Sequence, residues 1–280
     1  VQIDKTNEVS MSLDRRNFLR VVATGTAVTA FAPQGFSEAL LAGPATEPSQ
    51  VDPGGKSFSG IKALVFDSYG TLFDVYSVAA LAEQLFPGKG KELSQLWRTK
   101  QIDYTWLRSL MDKHADFWQV TQDGLDYSCK ALNLECTPAQ RDQLMQTYNH
   151  LTAFPDVRPA LEGLAPLPLA ILSNGTPKML QAVAKNSGID SLLKYIISIE
   201  NAGIFKPSPR VYQLAVDKFK IKERRDIGFV SSNCWDALGA KAFGFTVFWI
   251  NRGNAPVDEL GVKPDRILSK LTELIPLVKS

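Results

Sequence analysis

Asp67 follows the apolar run Ile61 to Phe66, inside Phe66-Asp67-Ser68-Tyr69-Gly70-Thr71-Leu72. An acid at the carboxyl end of a strand, followed by a glycine turn, is where an α/β fold presents a reactive carboxylate. Two residues on stands Tyr69, where a phosphoryl-transfer site of this layout wants a second acid to protonate the leaving oxygen. Ser231 to Asn233 fill the loop where metal-holding acids would be expected, and Asp67 with Asp236 alone makes a poor magnesium cage. These residues favour a metal-free displacement at carbon over phosphate chemistry.

Three other strand ends carry polar residues: Ser173-Asn174-Gly175-Thr176, Lys206 in Phe205-Lys206-Pro207, and Ser231-Ser232-Asn233-Cys234-Trp235-Asp236. Singly each has a plain explanation, since Asn-Gly makes turns, Ser or Thr caps helices, and Lys before Pro is usually solvated. In a parallel sheet all four ends face one crevice, and their convergence points to a site. A carboxylate there is a nucleophile if it stays ionised and keeps an oxygen exposed. Lys206 offers it the opposite charge, and Thr71 and Ser173 offer orienting hydrogen bonds.

The elements that must position these groups are short apolar strands alternating with helices. Strands are expected at Lys62–Phe66, Leu169–Ser173, Tyr195–Ser198, Ile227–Val230 and Thr246–Ile250, with helices at Lys178–Asn186, Pro209–Phe219 and Trp235–Ala242. This is an α/β fold with a Rossmann-like parallel-sheet core. The long interval between the first two strands carries helical periodicity at Tyr76–Leu85, Gly90–Arg98, Tyr104–Val120, Leu125–Leu132 and Pro138–Leu151. It is expected to form an inserted helical cap domain, residues 76–151, over a core of residues 60–75 and 152–280. An aromatic-rich face of Tyr104, Trp106, Leu107, Leu110, Phe117 and Trp118 is expected to pack within the cap and leave surface for a homodimer contact.

Composition sets outer limits. The 280 residues are 45% apolar and 21% charged, with a net charge of +2 and no basic stripe, so nucleic acid is not an expected partner. Cys129, Cys136 and Cys234 have neither metal-site nor disulfide-framework spacing, and His114 and His150 sit in no motif. Residues 1–59 are expected to be a targeting segment and linker. Arg15-Arg16-Asn17-Phe18-Leu19-Arg20 precedes a weakly apolar stretch from Val21 to Ala32, an order that resembles a twin-arginine signal. Cleavage is expected between Phe36 and Ala45, delivery to the periplasm without stable membrane insertion, and a cytoplasmic location if the signal does not operate. Met11 stands just before the arginine pair, and residues 1–10 read as upstream sequence.

The chain from about Gly60 to Leu277 resembles the L-2-haloacid dehalogenases of the haloacid dehalogenase superfamily. The resemblance rests on Phe66 to Val75, on Leu96-Trp97-Arg98-Thr99-Lys100-Gln101, and on Tyr104-Thr105-Trp106-Leu107-Arg108-Ser109-Leu110-Met111. Ile171 to Gly175, Lys206-Pro207 with Tyr212, and Val230 to Asp236 complete it. It implies hydrolysis of a 2-haloalkanoate without metal or organic cofactor. Asp67 attacks the halogen-bearing carbon, and water then cleaves the aspartyl ester to give a D-2-hydroxyacid and halide. Arg98, Asn174 and Trp235 are implied to receive the halide. Asp236 with Asn233 is implied to activate water, while Thr71, Ser173, Lys206, Tyr212 and Ser231 orient Asp67. Ser173 and backbone donors near Tyr69 are implied to hold the substrate carboxylate, with Tyr69, Ile102, Phe117 and Trp235 as pocket walls. The alternatives are a magnesium-dependent phosphomonoesterase on the same fold and a non-catalytic periplasmic carboxylate binder. Tyr69 argues against the first. Burying two extra acids beside an anionic ligand argues against the second.

Overall fold

The computed structural model describes residues 57–278. The arginine pair, the apolar stretch after it and most of the linker lie outside these residues. Strands β1 (Ala63–Phe66), β2 (Leu169–Ser173), β3 (Tyr195–Ser198), β4 (Ile227–Ser231), β5 (Thr246–Ile250) and β6 (Arg266–Leu268) form one parallel sheet. The order is β3-β2-β1-β4-β5-β6. Strand order therefore reverses between β1 and β4, where open α/β sheets form their crevice. Strands β1, β2 and β4 are buried along their whole length, as unbroken apolar runs covered on both faces should be. The strands match the sequence expectation closely. β6 was not expected, being three residues long with an arginine at its start.

Between β1 and β2 the chain is helical. Asp74 caps a 3-10 turn at Val75–Val78 that leads into α1 (Ala79–Leu85), followed by α2 (Gly90–Leu110), α3 (Phe117–Ala131) and α4 (Pro138–Thr147). The division differs from the expected one. α2 is continuous where a break was expected after Arg98, because Arg98, Gln101 and Thr105 share its buried face while Lys100 pairs with Asp103 outside. The break falls instead at residues 111–116. There Asp112 takes a left-handed conformation (φ 54°) and the Asp116 carboxylate accepts from the Gln119 N–H at 2.8 Å to start α3. Thr137 begins α4 with a capping box completed by Gln140 and with Pro138 in the first turn. The expected aromatic face is thus shared by two helices. Phe117 is buried, whereas Leu107, Leu110 and Met111 are 49%, 85% and 59% exposed.

Past this segment, α5 (Val157–Leu164), α6 (Pro177–Asn186), α7 (Pro209–Phe219), α8 (Cys234–Phe243) and α9 (Ile275–Val278) complete the fold. Thr176 caps α6, with its Oγ1 accepting from the Met179 N–H at 3.2 Å. Among the described residues no helix is long and apolar enough to cross a membrane.

Candidate active site

Asp67 leaves β1 while still on the ladder, its N–H donating to the Val230 carbonyl at 2.9 Å. The turn after it needs Gly70, whose φ of 90° is costly for any residue with a Cβ. That turn brings Thr71 back under the carboxylate. Thr71 Oγ1 donates to Asp67 Oδ2 at 2.9 Å, and Asn233 Nδ2 donates to the same oxygen at 2.8 Å. Lys206 Nζ donates to Oδ1 at 3.0 Å. With two acceptor sites on each oxygen, Oδ2 is filled and Oδ1 keeps one lone pair for an electrophile. Asp67 is held by its neighbours and still armed.

Lys206, on the loop between β3 and α7, also donates to Asp236 Oδ2 at 2.9 Å. It is 1% exposed, and Asp236, in the first turn of α8, is fully buried. Ser231 Oγ at the end of β4 and Tyr212 Oη on α7 donate to Asp236 at 3.0 and 2.8 Å. Burial disfavours the Lys206 charge, but attraction to Asp236 and Asp67 outweighs it and raises the lysine pKa. For Asp236, burial comes first and pushes its pKa to about 6, with Lys206 pulling the other way. A buried acid poised near neutrality suits proton transfer at physiological pH. Burial also carries the Tyr212 phenol well above its ordinary value, so it remains a neutral donor.

Arg98 enters from α2. Its Nη2 reaches the Tyr69 carbonyl at 3.3 Å and Asn233 Oδ1 at 3.4 Å, while Nη1 donates to Gln101 Oε1 at 2.6 Å. Every one of these partners is a neutral oxygen. Asn233 consequently joins both halves of the site, taking Arg98 on its oxygen and giving Asp67 and the Tyr69 carbonyl its nitrogen. The two buried acids are matched by two buried bases, so the site gains no net charge until an anion enters.

The remaining residues expected at the site lie around this centre with more local bonding. Ser173 Oγ accepts from the Gly175 N–H at 3.3 Å, and Asn174 Oδ1 accepts from the Lys206 N–H at 3.1 Å. Neither is hydrogen bonded to Asp67 or Arg98. Tyr212 and Ser231 bond to Asp236 rather than to Asp67. Tyr69 packs against Phe117 with ring centroids 5.4 Å apart, and its buried hydroxyl finds no partner among the described residues. Burial raises its pKa far above the ordinary phenol range, so the group stays protonated. Trp235 meets Trp106 of α2 edge to face at 5.3 Å, and Ile102 is half-buried on the same helix. Trp235, Asn233 and Gly70 also border a cavity of about 480 Å³, with Tyr76 and Arg252 among its lining residues.

Sequence reasoning gave no role to Gln101, Thr121 or Tyr148. Gln101 is fully buried, joins Arg98 to Thr121 Oγ1, and lies beside the Tyr148 phenol, whose pKa burial pushes up to about 12. The available signal was a polar residue three positions after Arg98 on one helical face.

Among the described residues there is no cluster of three or more His, Cys, Asp or Glu side chains arranged to hold a metal. The ammonium of Lys206 already joins the two acids of the centre.

Comparison with known proteins agrees with this geometry. Residues 61–244 match the family described as haloacid dehalogenase-like hydrolase. The chain is 46% identical to (S)-2-haloacid dehalogenase 2 of Pseudomonas sp. (strain CBS-3), over 76% of this chain and 94% of that protein. It is 43% identical to haloacetate dehalogenase H-2 of Moraxella sp. (strain B), over 78% of this chain and 98% of that one. The L-2-haloacid dehalogenase of Xanthobacter autotrophicus, solved with chloropropionic acid covalently bound, superposes with a TM-score of 0.74 at 40% identity, covering 79% of this chain and 99% of that one. With the family matched over residues 61–244 and these identities spanning nearly the whole of each relative, the chain belongs to the haloacid dehalogenase-like hydrolases, among the L-2-haloacid dehalogenases.

Proposed function

We propose that the protein hydrolyses L-2-haloacids to D-2-hydroxyacids and halide through an ester on Asp67. The observation that carries this reading is the Asp67 carboxylate itself. Three donors hold it, one lone pair is left free, and an arginine without an acidic partner stands across Asn233. Asp67 Oδ1 attacks C2 opposite the halide, the carbon–oxygen bond forms as the carbon–halogen bond breaks, and the configuration inverts. The halide leaves toward Arg98, with Trp235 and Asn174 at the edge of that space. Charge developing on the halide meets a preorganised cation in a buried site, where such stabilisation is strongest. Water then adds to the carboxyl carbon of Asp67, with Asp236 taking its proton and Asn233 orienting it. The hydroxyacid leaves without a further change at C2.

In this reading residues 76–151 act as a cap that carries Arg98 over the strand ends of the core. Ser173 and backbone N–H groups near Tyr69 take the substrate carboxylate, and Tyr69, Ile102, Phe117 and Trp235 wall the pocket. The covalently bound chloropropionic acid in the Xanthobacter autotrophicus relative supports the ester route. A magnesium-dependent phosphatase is disfavoured by Tyr69 at the position of the second acid. The exposed Leu107, Leu110 and Met111 of the cap support a homodimer, which sedimentation of the wild type against Leu110→Glu tests. The twin-arginine-like segment supports export to the periplasm, tested by fractionating cells that carry Arg15-Arg16 or a Lys-Lys replacement.

Halide release and product configuration, measured with separate L- and D-2-chloropropionate in EDTA, test the activity. The expected result is release from the L-enantiomer alone, giving D-lactate, with none in Asp67→Asn. Absence of release from either enantiomer by the folded protein would contradict the assignment.

A further inference from the structure

Arg98 is 9% exposed yet forms no ion pair with a carboxylate among the described residues. A buried guanidinium is costly to hold without an acid, so something neutral must fix it. The shortest of its contacts is to Gln101 Oε1, at 2.6 Å and one turn along α2. Gln101 in turn donates through Nε2 to Thr121 Oγ1 on α3 at 2.7 Å, and Thr121 Oγ1 donates to the Phe117 carbonyl at 2.6 Å.

This chain can run in only one direction. Arginine has donors alone, so Gln101 must turn its oxygen toward it. The amide nitrogen then faces Thr121, whose single hydroxyl hydrogen is spent on the Phe117 carbonyl, leaving the oxygen to accept. A flipped amide would set donor against donor at Arg98. The helix pair that carries the chain is itself locked, because Trp97 Nε1 donates to the Thr121 carbonyl at 2.7 Å. Gly124 lets the helices approach closely enough, since a Cβ there would lie 3.1 Å from the backbone nitrogen of Gln101.

We propose that Gln101, held in one orientation by Thr121, is the positioning residue for Arg98, and that its neutral amide leaves the guanidinium charge uncompensated for the departing halide. A glutamate at this position would hold Arg98 as well or better, but its charge would occupy the cation that the halide must use. The fold therefore uses an amide where an acid would give the stronger bond. The inference rests on the halide-accepting role given to Arg98 above.

The test compares Gln101→Glu, Gln101→Met, Thr121→Val and Thr121→Ser with wild type. Bromide is titrated without substrate by tryptophan fluorescence, and kcat and KM are measured with L-2-chloropropionate. Gln101→Glu should weaken bromide binding about tenfold or more and lower kcat about a hundredfold, with KM moving far less. Gln101→Met and Thr121→Val should lower kcat more mildly, and Thr121→Ser, which keeps the hydroxyl, should recover most of the Thr121→Val loss. Wild-type bromide affinity and kcat in Gln101→Glu would overturn the proposal, as would a Thr121→Val loss that Thr121→Ser fails to recover. If the wild type released no halide, the activity reading would fail, while the bromide titration would still decide the part played by Gln101.

Discussion

The cation beside the sheet and the cation of the helical segment between β1 and β2 are buried in opposite ways. Lys206 lies between two carboxylates, 3.0 Å from Asp67 and 2.9 Å from Asp236, and is almost wholly occupied by them. Arg98 is held by an amide, a carbonyl and Asn233, all neutral. The difference separates two tasks that a positive charge can perform in one crevice. A cation saturated by acids balances their charge and fixes their orientation. A cation held by neutral groups retains its attraction for an incoming anion. Using Lys206 for the second task would leave Asp67 and Asp236 to repel each other, and pairing Arg98 with an acid would cancel the charge that the proposed mechanism offers to the halide.

The contrast yields graded expectations. Asp67→Asn should have the largest effect, removing halide release by about 10⁴-fold or more, as loss of a nucleophile does. Any persistent steady-state release well above that level would break the assignment of the core as the covalent half. Next come the two cations. Lys206→Met strands two buried acids and should destabilise the fold by about 3 to 5 kcal/mol. Arg98→Met strands none and should melt near the wild type while kcat falls about a hundredfold. Thermal melts run beside steady-state rates distinguish the two, and equal destabilisation by both variants would erase the comparison.

A smaller effect should appear with pH. Asp236 has its pKa raised from 3.8 to about 6, chiefly by burial. Its contribution to stability is therefore fully present below 3.8 and lost as pH rises through about 6. Ester hydrolysis needs the ionised form, so kcat should fall with acid on a limb near pH 6 that belongs to the coupled cluster. Single-turnover ester decay measured across that range checks this, and a flat profile would remove Asp236 from the base role. The smallest change is expected from Tyr69→Phe. Its hydroxyl has no partner among the described residues, so melting should shift little or slightly upward. A marked loss of stability would show a bond to that hydroxyl.

The sequence made the sheet half of this comparison readable and left the half on α2 and α3 partly hidden. Asp67 is legible because an acid at the end of a buried strand has few structural reasons to be there, and Asp236 stands in the first turn of the helix after β4. Lys206 lies eight residues beyond the end of β3, not at the strand end the sequence suggested, and was legible only through its convergence with the other polar runs and through resemblance. β2, β3 and β5 could be placed to the residue by their uninterrupted apolar runs, whereas β6, with Arg266 in a three-residue strand, carries no such pattern. On α2, Arg98 was recognisable through resemblance, but its holder was not. Gln101 and Thr121 are ordinary polar residues whose meaning depends on α2 and α3 facing each other, a contact that no local spacing specifies. The misplaced helix break has the same origin. Local composition did not show that α2 runs on through Gln101 because that face is buried.

The central claim is that Asp67 gives an oxygen to the product and takes its replacement from water. A single turnover of excess enzyme on L-2-chloropropionate in heavy-oxygen water tests it directly, by mass analysis of both the lactate and the peptide that contains Asp67. Label is expected in the Asp67 carboxylate and none in the first equivalent of lactate. Label in that first lactate, with Asp67 unlabelled, would mean that water attacks the substrate carbon itself and would contradict the covalent route.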